Sequence, residues 1–446
     1  MTRALAIAAP VLIALGAPAI AHAERDPWVA GTPAQTYARP GGKVRVHYVT
    51  TTADAVLATD ADASGVPDFV EEVALRGDES LTAYAAMGFR APLSDGTAGG
   101  DDRLDIYLKD LNGSDGSFGT DSCTQTPFRC VGYVTMENDF RGYGYPSTSI
   151  GIKVLTSHEL FHAVQEAYDA DQPIAWSEGS AVWAEELVYP EQGDFEGLVA
   201  AFMAKPFRPF ERPGAGFGDL YPYGAAMWPY FLEAHVGPGT VAATWTGCED
   251  TGSDPDFLDA QTAQLAAIGR TLEGEWIEFT RWNARTGDRA DGTSYPDAQR
   301  LAKALREPAL AAPGAATAIL EGFSARYLPI TGVAESSRIT FTAMRPVAIE
   351  VRAIGGDADI TRVGDDVAGL THTIDVVPTG GAVDLEVVIS SAVRGGIQQE
   401  TTVDIAPYTP PPEDEGGCGC TTSSPAGGAP LVLAALGLVR RRRARQ

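Results

Sequence analysis

The chain has 446 residues, of which 33 are basic and 59 are acidic, so its formal net charge is −26. A surface this acidic repels nucleic acid and anionic lipid, and we expect neither as a partner. The composition instead suits an exposed, soluble body, and its excess of carboxylates suits divalent cations.

The first 23 residues are typical of a secretory signal peptide. Arg3 supplies positive charge, residues 4–20 are apolar, and Ala21-His22-Ala23 is a small-x-small cleavage site before Glu24. We therefore expect the chain to be exported.

Residues 24–56 are expected to be extended and to lead into an acidic loop. Oxygen-bearing side chains occupy loop positions one, three, five, nine and twelve, with Gly65 at position six, which is the ligand spacing of an EF-hand calcium loop. These side chains are Asp60, Asp62, Ser64, Asp68 and Glu71. Pro67 at position eight argues against a paired hand. Two interpretations remain: a lone calcium (Ca²⁺) loop, or an acidic turn that caps the helix predicted over 66–88.

Residues 105–108 and 132–135 predict strands of a small sheet. Between them, Cys123 and Cys130 lie seven positions apart in a Ser/Thr-rich loop, which predicts a local disulfide in an exported protein. Cys248 has no evident partner in the sequence and is expected to be a buried thiol.

The most specific motif is His158-Glu159-Leu160-Phe161-His162, an HExxH sequence inside an apolar segment over 154–165. No Pro or Gly interrupts this segment, and its apolar residues recur at helical spacing, so it predicts a buried helix. Because a helix turns once every 3.6 residues, His158 and His162 lie on one face with Glu159 beside them. This arrangement supplies two zinc ligands and a base.

A catalytic zinc ion usually has three protein ligands, so a third must come from elsewhere. A second helix is predicted after a loop broken by proline, and Glu178 lies in it, sixteen positions after His162. HExxH followed by Glu178-Gly179-Ser180-Ala181 resembles the gluzincin metallopeptidases, in which a later helix carries a glutamate ligand in a Glu-Gly-x-Ala pattern. The resemblance implies that His158, His162 and Glu178 bind Zn²⁺ and that Glu159 is the general base.

The same resemblance implies an oxyanion donor. In the gluzincin aminopeptidases a tyrosine three residues before a glycine donates to the tetrahedral intermediate, and Tyr221 corresponds to it, with Tyr223 as the neighbouring candidate. Both begin an apolar segment over 221–236, predicted as a helix kinked at Pro229. An aromatic pair that only packs the helix start is the alternative.

Two features depart from the family pattern. Thermolysin-like enzymes carry an aspartate four residues after the third ligand to orient a histidine, whereas this chain has Val182, so Glu185 is considered for that role. Residues 132–138 partly match the aminopeptidase motif Gly-x-Met-Glu-Asn, which binds a substrate's free amine, but the glycine is displaced. Exopeptidase specificity and a plain edge strand beside the cleft both remain open.

Helical patterns dominate from residue 152 to about 305, including 256–268 and 273–286. Beyond residue 313 apolar and polar residues alternate between Gly-rich turns, which predicts a β-sandwich. The expected fold class is α+β. A zincin-like metallopeptidase domain, small sheet then helices, spans 24–312, and a β-sandwich accessory domain spans 313–408.

Residues 409–446 are predicted to be a linker and a sorting tail. A Pro-rich acidic stretch is followed by Cys418 and Cys420, an apolar run over 429–439 and four arginines at 440–443. The apolar run is too short to cross a bilayer comfortably. This order resembles the MYXO-CTERM tail of myxobacterial surface proteins, which implies processing by sorting machinery and retention at the cell surface. A weak membrane anchor with a positive cluster inside is the alternative.

Together these features predict a secreted, surface-retained zinc metallopeptidase that acts on a protein or peptide substrate. The same site could open an ester or an epoxide, so peptide hydrolysis rests on the resemblance. The rival interpretation is a surface adhesin or binding protein with a structural or decayed metal site. A closed structural site needs a fourth protein ligand, and no further histidine or cysteine lies near the motif in the sequence, which favours catalysis.

Overall fold

The computed structural model describes Arg25 and residues 28–214, 216, 218–249, 251–363, 368–395 and 397–410. The described residues up to Tyr408 belong to one compact unit. The predicted signal peptide and the sorting-tail features from residue 418 onward lie outside the described residues. Among the residues that are described, no helix is both long and apolar enough to cross a membrane.

The fold begins with a five-stranded sheet. Its strands are β1 (Gln35–Tyr37), β2 (Val44–Tyr48), β3 (Leu104–Lys109), β4 (Gly116–Cys123) and β5 (Cys130–Glu137). They lie in the order β1-β2-β3-β5-β4, in which β2, β3 and β5 are parallel and the outer strands β1 and β4 are antiparallel to their neighbours. β4 was not predicted, because this edge strand is mostly Gly, Ser and Thr and has no alternating apolar pattern.

A disulfide bond joins the two strands at the edge of this sheet. Cys123 at the end of β4 lies directly opposite Cys130 at the start of β5, and the two are bonded, as the sequence predicts. Cys248 is buried and free, and burial raises the pKa of its thiol. It is therefore the inert buried thiol that was expected.

Two helices cover one face of the sheet. α1 (Asp68–Ala86) and α2 (Thr148–Gln165) pack against each other and against β2 and β5. Alternate strand residues such as Val44 and Ile106 are fully buried beneath them. Gly77 brings α1 close to the sheet, since a Cβ there would lie 2.9 Å from a methyl carbon of Val44. The helix that carries the HExxH motif is thus held on a rigid support.

Further helices follow α2 in the described chain. They are α3 (Ile174–Val188), α4 (Asp194–Met203), α5 (Tyr221–Gly224), α6 (Met227–Phe231), α7 (Thr240–Gly247), α8 (Phe257–Ala267) and α9 (Leu272–Asn283). The helix predicted over 221–236 is instead divided into α5, α6 and a π-helical turn at Leu232–Val236. Because Pro229 has no N–H group, the Ala225 carbonyl accepts from Trp228, and the regular helix breaks there.

The chain ends in a second, larger sheet. Its strands are β6 (Leu310–Ala311), β7 (Gly314–Leu320), β8 (Ser324–Val333), β9 (Ser337–Gly355), β10 (Ala358–Val363), β11 (Ala368–Pro378), β12 (Val383–Ser391) and β13 (Gln399–Pro407). The order small sheet, helices, large sheet makes the fold α+β, as predicted.

The strands of the second sheet form one hydrogen-bonded network, where two separate layers of a sandwich were expected. The long strand β9 connects the strands of this sheet. Its first half pairs with β11 and β13, and its second half pairs with β12. The halves meet at Pro346, whose nitrogen cannot donate a ladder hydrogen bond.

The second sheet also contributes to the core of the helical part. Phe323, Tyr327 and Val388 belong to the same hydrophobic cluster as the helices, and the Tyr327 hydroxyl donates to the Thr280 carbonyl of α9 at 3.1 Å. A separate cluster fills the interior of the sheet. The domain boundary at residue 313 stays a prediction, because both parts belong to one compact unit.

An ion cluster lies where the second sheet meets the helices. Glu386 of β12 has no exposed surface, and its carboxylate accepts from Nε of Arg306 at 2.7 Å and from Nε of Arg352 at 2.9 Å. Arg352 also donates to the Ala284 carbonyl just after α9, at 3.3 Å. The carboxylate therefore links the sheet to the helical part through Arg352.

Glu386→Gln should lower the free energy of unfolding by roughly 3 kcal/mol, because it leaves two arginines without their shared counter-charge. Glu400→Gln, which changes an exposed glutamate of β13, is the matched control. Urea unfolding followed by circular dichroism measures both variants. Equal stability of the two would contradict this role for Glu386.

Candidate metal centre

The two histidines of the HExxH motif lie on one face of the buried helix α2. Ser147 caps this helix, its side chain accepting from the Ile150 N–H at 3.2 Å. The rings of His158 and His162 are nearly perpendicular, with centroids 4.8 Å apart. Their Nε2 atoms are 3.1 Å apart. The helical spacing thus aims both Nε2 atoms at one point, as predicted.

Glu178 approaches the same point from α3. Its Oε2 lies 3.2 Å from Nε2 of His158 and 3.5 Å from Nε2 of His162. The next residue, Gly179, packs against α5 so closely that a Cβ there would lie 2.9 Å from the Ala225 carbonyl carbon. The structure therefore brings the three predicted ligands together, and their ligand atoms could hold one metal ion.

Gln165, which the sequence analysis did not single out, fixes the orientation of His162. Its Nε2 donates to the Ser177 carbonyl at 2.8 Å, so its Oε1 faces His162 and lies 2.8 Å from Nδ1. The Nδ1 atom must therefore carry the proton, and the Nε2 lone pair is left for a metal. The spacing in the sequence could have indicated this role, because Gln165 follows His162 by three residues and so lies on the same side of the helix.

Glu185 faces the other histidine. Its Oε2 lies 3.5 Å from Nδ1 of His158, and its side chain is 2% exposed. Burial raises the pKa of Glu185 to about 7, although the hydrogen bond and charge of His158 oppose this shift. Val182, where thermolysin-like enzymes have an aspartate, is fully buried among apolar side chains. Glu185 is thus positioned for the orienting role that the sequence analysis considered.

Burial and charge act in opposite directions on the three predicted ligands. Burial alone would raise the pKa of Glu178, but the two histidines outweigh it and hold that pKa well below its usual range. Burial alone would lower the pKa values of His158 and His162, but the charge and hydrogen bonds of Glu178 outweigh it and raise both. The carboxylate therefore favours positive charge between the rings.

Glu159 lies between the histidines and the edge strand β4. It is 6% exposed, and a Cβ on Gly116 would lie 2.9 Å from its Oε1, so this glycine makes room for the carboxyl group. Burial raises the pKa of Glu159, against the charges of His162 and His158. A carboxylate with a raised pKa accepts a proton more readily, which suits a general base.

Other acidic side chains add negative charge to this region. Asp115, just before β4, acts electrostatically on Glu159 and on Asp194 at the start of α4. Burial raises the pKa of Asp194, and the charge of Asp115 adds to the shift. Neither aspartate belongs to a motif, so no sequence pattern predicts its place here. Their charge favours a divalent cation.

The two candidate tyrosines have different surroundings. Tyr221 is 1% exposed, and its hydroxyl donates to the Arg208 carbonyl at 3.3 Å. Tyr223 stacks on His158, with ring centroids 5.8 Å apart. Burial, and then the charge of Glu178, raise the pKa of Tyr223. Its hydroxyl therefore stays protonated and can donate a hydrogen bond. The structure brings Tyr223 to the histidines and leaves Tyr221 in the core.

Residues 132–138, the partial aminopeptidase motif, lie in β5 and just after it. The expectation of a plain edge strand here was wrong, because β5 pairs on both sides and β4 forms the edge. Glu137 lines a cavity of about 630 Å³ together with Asp115 and Tyr143. Its Oε2 accepts from the Leu111 N–H at 2.8 Å and from the Tyr143 hydroxyl at 2.9 Å. Exopeptidase specificity stays a prediction.

The acidic loop before α1 gathers part of the predicted calcium site. The carboxylates of Asp60, Asp62 and Asp68 lie close enough to share one ion, and Glu71 is outside this group. The same carboxylates accept backbone N–H groups: Asp60 from Ser64 and Gly65, Asp62 from Ser64, and Asp68 from Ala61. The geometry therefore fits both the calcium loop and the capping turn. A further acidic group, missed in the sequence analysis, contains Asp169, Asp171 and Asp254.

No protein-family model matches this sequence, and no curated protein matches it. The resemblance to the gluzincin metallopeptidases therefore rests on the motifs quoted above. What the site can do chemically follows from its own residues and distances.

Gln165→Leu should weaken zinc binding by roughly 10- to 100-fold, because Nδ1 of His162 loses the acceptor that fixes its proton and ring orientation. Competition with a chromophoric chelator measures the affinity. Gln299→Leu, at an exposed glutamine, is the matched control. The metal-free stability of each variant, measured by urea unfolding, separates a loss of metal binding from a loss of folding; unchanged zinc affinity in a folded Gln165→Leu would contradict this assignment.

Proposed function

We propose that the chain is a zinc-dependent metallopeptidase that hydrolyses peptide bonds. The observation that carries this proposal is the meeting of two imidazole Nε2 atoms and a glutamate oxygen at 3.1–3.5 Å, between two buried helices. His158, His162 and Glu178 would hold the ion. Zinc, when bound, supplies a Lewis acid that makes water a nucleophile near neutral pH and polarises a carbonyl group.

The side chains around the three ligands suit this ion. Imidazole nitrogen and carboxylate oxygen are the usual ligands of catalytic zinc. Gln165 directs the lone pair of His162 towards Glu178, and Glu185 faces the outer nitrogen of His158. Such partners of ligating histidines set the proton position and raise the basicity of the ring.

Glu159 and Tyr223 have roles that follow from their positions. Glu159 takes a proton from the attacking water and passes it to the leaving amine, which its burial and raised pKa favour. Tyr223, stacked on His158, keeps its hydroxyl proton and donates a hydrogen bond to the carbonyl oxygen as negative charge develops there. The negative charge of acidic neighbours such as Asp115 favours the divalent cation on which both steps rely.

The proposal includes export and a surface location. The signal-like first 23 residues, the bonded pair Cys123 and Cys130, and the three-part order of the tail support it. In this proposal the region before residue 313 is a zincin-like domain, and the later strands, which form one hydrogen-bonded network, are an accessory β-domain. Calcium in the loop over 60–71 belongs to it as a second cation, supported by the grouped carboxylates.

The rival proposal is a surface adhesin or binding protein with a structural or decayed metal site. A closed structural zinc site has four protein ligands, whereas the group found among the described residues has three. Glu159 would have no role in a structural site, although it is buried beside the histidines. These two observations favour the peptidase.

Glu159→Gln should reduce peptide cleavage by at least roughly 100-fold, because the amide cannot accept the proton of water. Bound zinc, measured by elemental analysis of the purified chain, should be unchanged. Glu273→Gln, at an exposed glutamate of α9, is the matched control. Digestion of a mixed peptide library measures cleavage. Equal cleavage by the two variants would remove Glu159 as the base, and a wild-type chain that binds zinc without cleaving any peptide would favour the rival.

Tyr223→Phe should lower kcat by roughly 100-fold while KM changes little, because the lost hydroxyl acts only on charge that develops during the reaction. Tyr221→Phe removes only a hydrogen bond to the Arg208 carbonyl, so it should cost about 1 kcal/mol of stability and leave kcat near the wild-type value. Steady-state kinetics on one cleaved peptide compare the two. The opposite order of effects would contradict the assignment.

A further inference from the structure

The face of the first sheet that is turned away from α1 and α2 carries a small core of its own. Tyr107 alternates along β3 with residues that are buried beneath the helices, so it lies on this opposite face. Trp28, Val49 and Tyr133 pack with it. The indole N–H of Trp28 donates to the Leu108 carbonyl at 3.1 Å. The segment before β1 therefore covers part of this face.

Three aspartates lie deeply buried beside this core. Asp95 in a loop, Asp105 in β3 and Asp121 in β4 have side chains that are 4%, 0% and 1% exposed. Asp105 packs so closely on Gly99 that a Cβ at this glycine would overlap the carboxylate. Its Oδ1 lies 2.7 Å from Nε2 of His47. Carboxylates this deeply buried require compensating positive charge.

Arg25 provides this positive charge. Its side chain is 6% exposed, and its guanidinium forms ion pairs with all three aspartates, including Oδ2 of Asp105 at 2.5 Å. The guanidinium also lies over the ring of Tyr133, 5.3 Å from the centroid. Among the described residues, Oδ1 of Asp95 and Oδ1 of Asp121 still have no hydrogen-bond partner. Nε of Arg25 is also without an acceptor there, so the guanidinium reaches all three carboxylates without satisfying every oxygen.

We propose that this pocket is a guanidinium-binding site and that Arg25 occupies it as a latch, fastening the segment before β1 to the sheet. A planar guanidinium has five N–H donors in a fixed fork, and so it can serve several carboxylates at once. Burial raises the pKa of Asp95 even against the charge of Arg25, so the pocket disfavours the ionised carboxyl group even with this cation in place. With signal cleavage after Ala23, Arg25 is the second residue of the exported chain. Proteolytic removal of the first two residues of the exported chain then removes the latch.

Arg25→Ala in the full chain should lower the melting temperature by roughly 5 °C or more. Millimolar guanidinium chloride should restore part of this loss, because the small cation enters the vacated pocket, whereas sodium chloride at equal ionic strength should not. Arg141→Ala, whose side chain is 77% exposed, is the matched control and should show neither effect.

A second variant keeps the test decisive if Arg25→Ala does not fold. Adding Asp121→Asn to Arg25→Ala removes one uncompensated acid, so the double variant should be more stable than Arg25→Ala alone. Recovery of folded protein in the double variant supports the latch. The proposal is overturned by a melting temperature that Arg25→Ala leaves unchanged, by a guanidinium effect no larger than that of sodium chloride, or by a double variant no more stable than the single one.

Discussion

The packing of α3 against α2 holds two imidazoles and a carboxylate together inside the protein, and the site depends on it. Trp176 near the start of α3 is fully buried and stacks on Phe257 of α8, with ring centroids 5.3 Å apart. On the other side, Gly179 lets α3 approach α5 closely. Glu178 lies between these two contacts. Close packing on both sides therefore fixes the carboxylate against the histidines before any ion binds.

The hydrogen bonds around the histidines connect the same two helices. Gln165 belongs to α2, yet it is held by Ser177 and Ser180 of α3, at 2.8 and 3.1 Å. In return, Glu185 of α3 faces His158 of α2. Each helix thus orients groups of the other, and a change in their packing alters the ligand geometry. The larger sheet supports this arrangement indirectly, through its contacts with α9.

Three acidic sites in the described chain differ in the source of the positive charge that compensates them. Three aspartates share Arg25, and Glu386 shares two arginines, so at both places the chain provides a permanent cation. Glu178 instead faces two histidines, which carry a charge only when protonated. A partly buried carboxylate beside two ring nitrogens with outward-held Nδ1 atoms is suited to a cation from solution. This contrast separates the candidate metal centre from the two structural ion clusters.

The sequence by itself determined the α+β order, the helix around HExxH, the second helix with Glu178 and the bonded pair Cys123 and Cys130. All of these follow from local spacing, because the helical period aligns residues four apart and a short loop brings its ends together. Only the tertiary structure decided that Tyr223 rather than Tyr221 faces the histidines, that β4 forms the sheet edge, and that Arg25 meets three aspartates. The contacts of Arg25 join residues from 70 to more than 90 positions apart, the position of Tyr223 depends on the direction of a broken helix, and β4 is the edge because β5 pairs with β3 on its other side. No local pattern of residues specifies any of these.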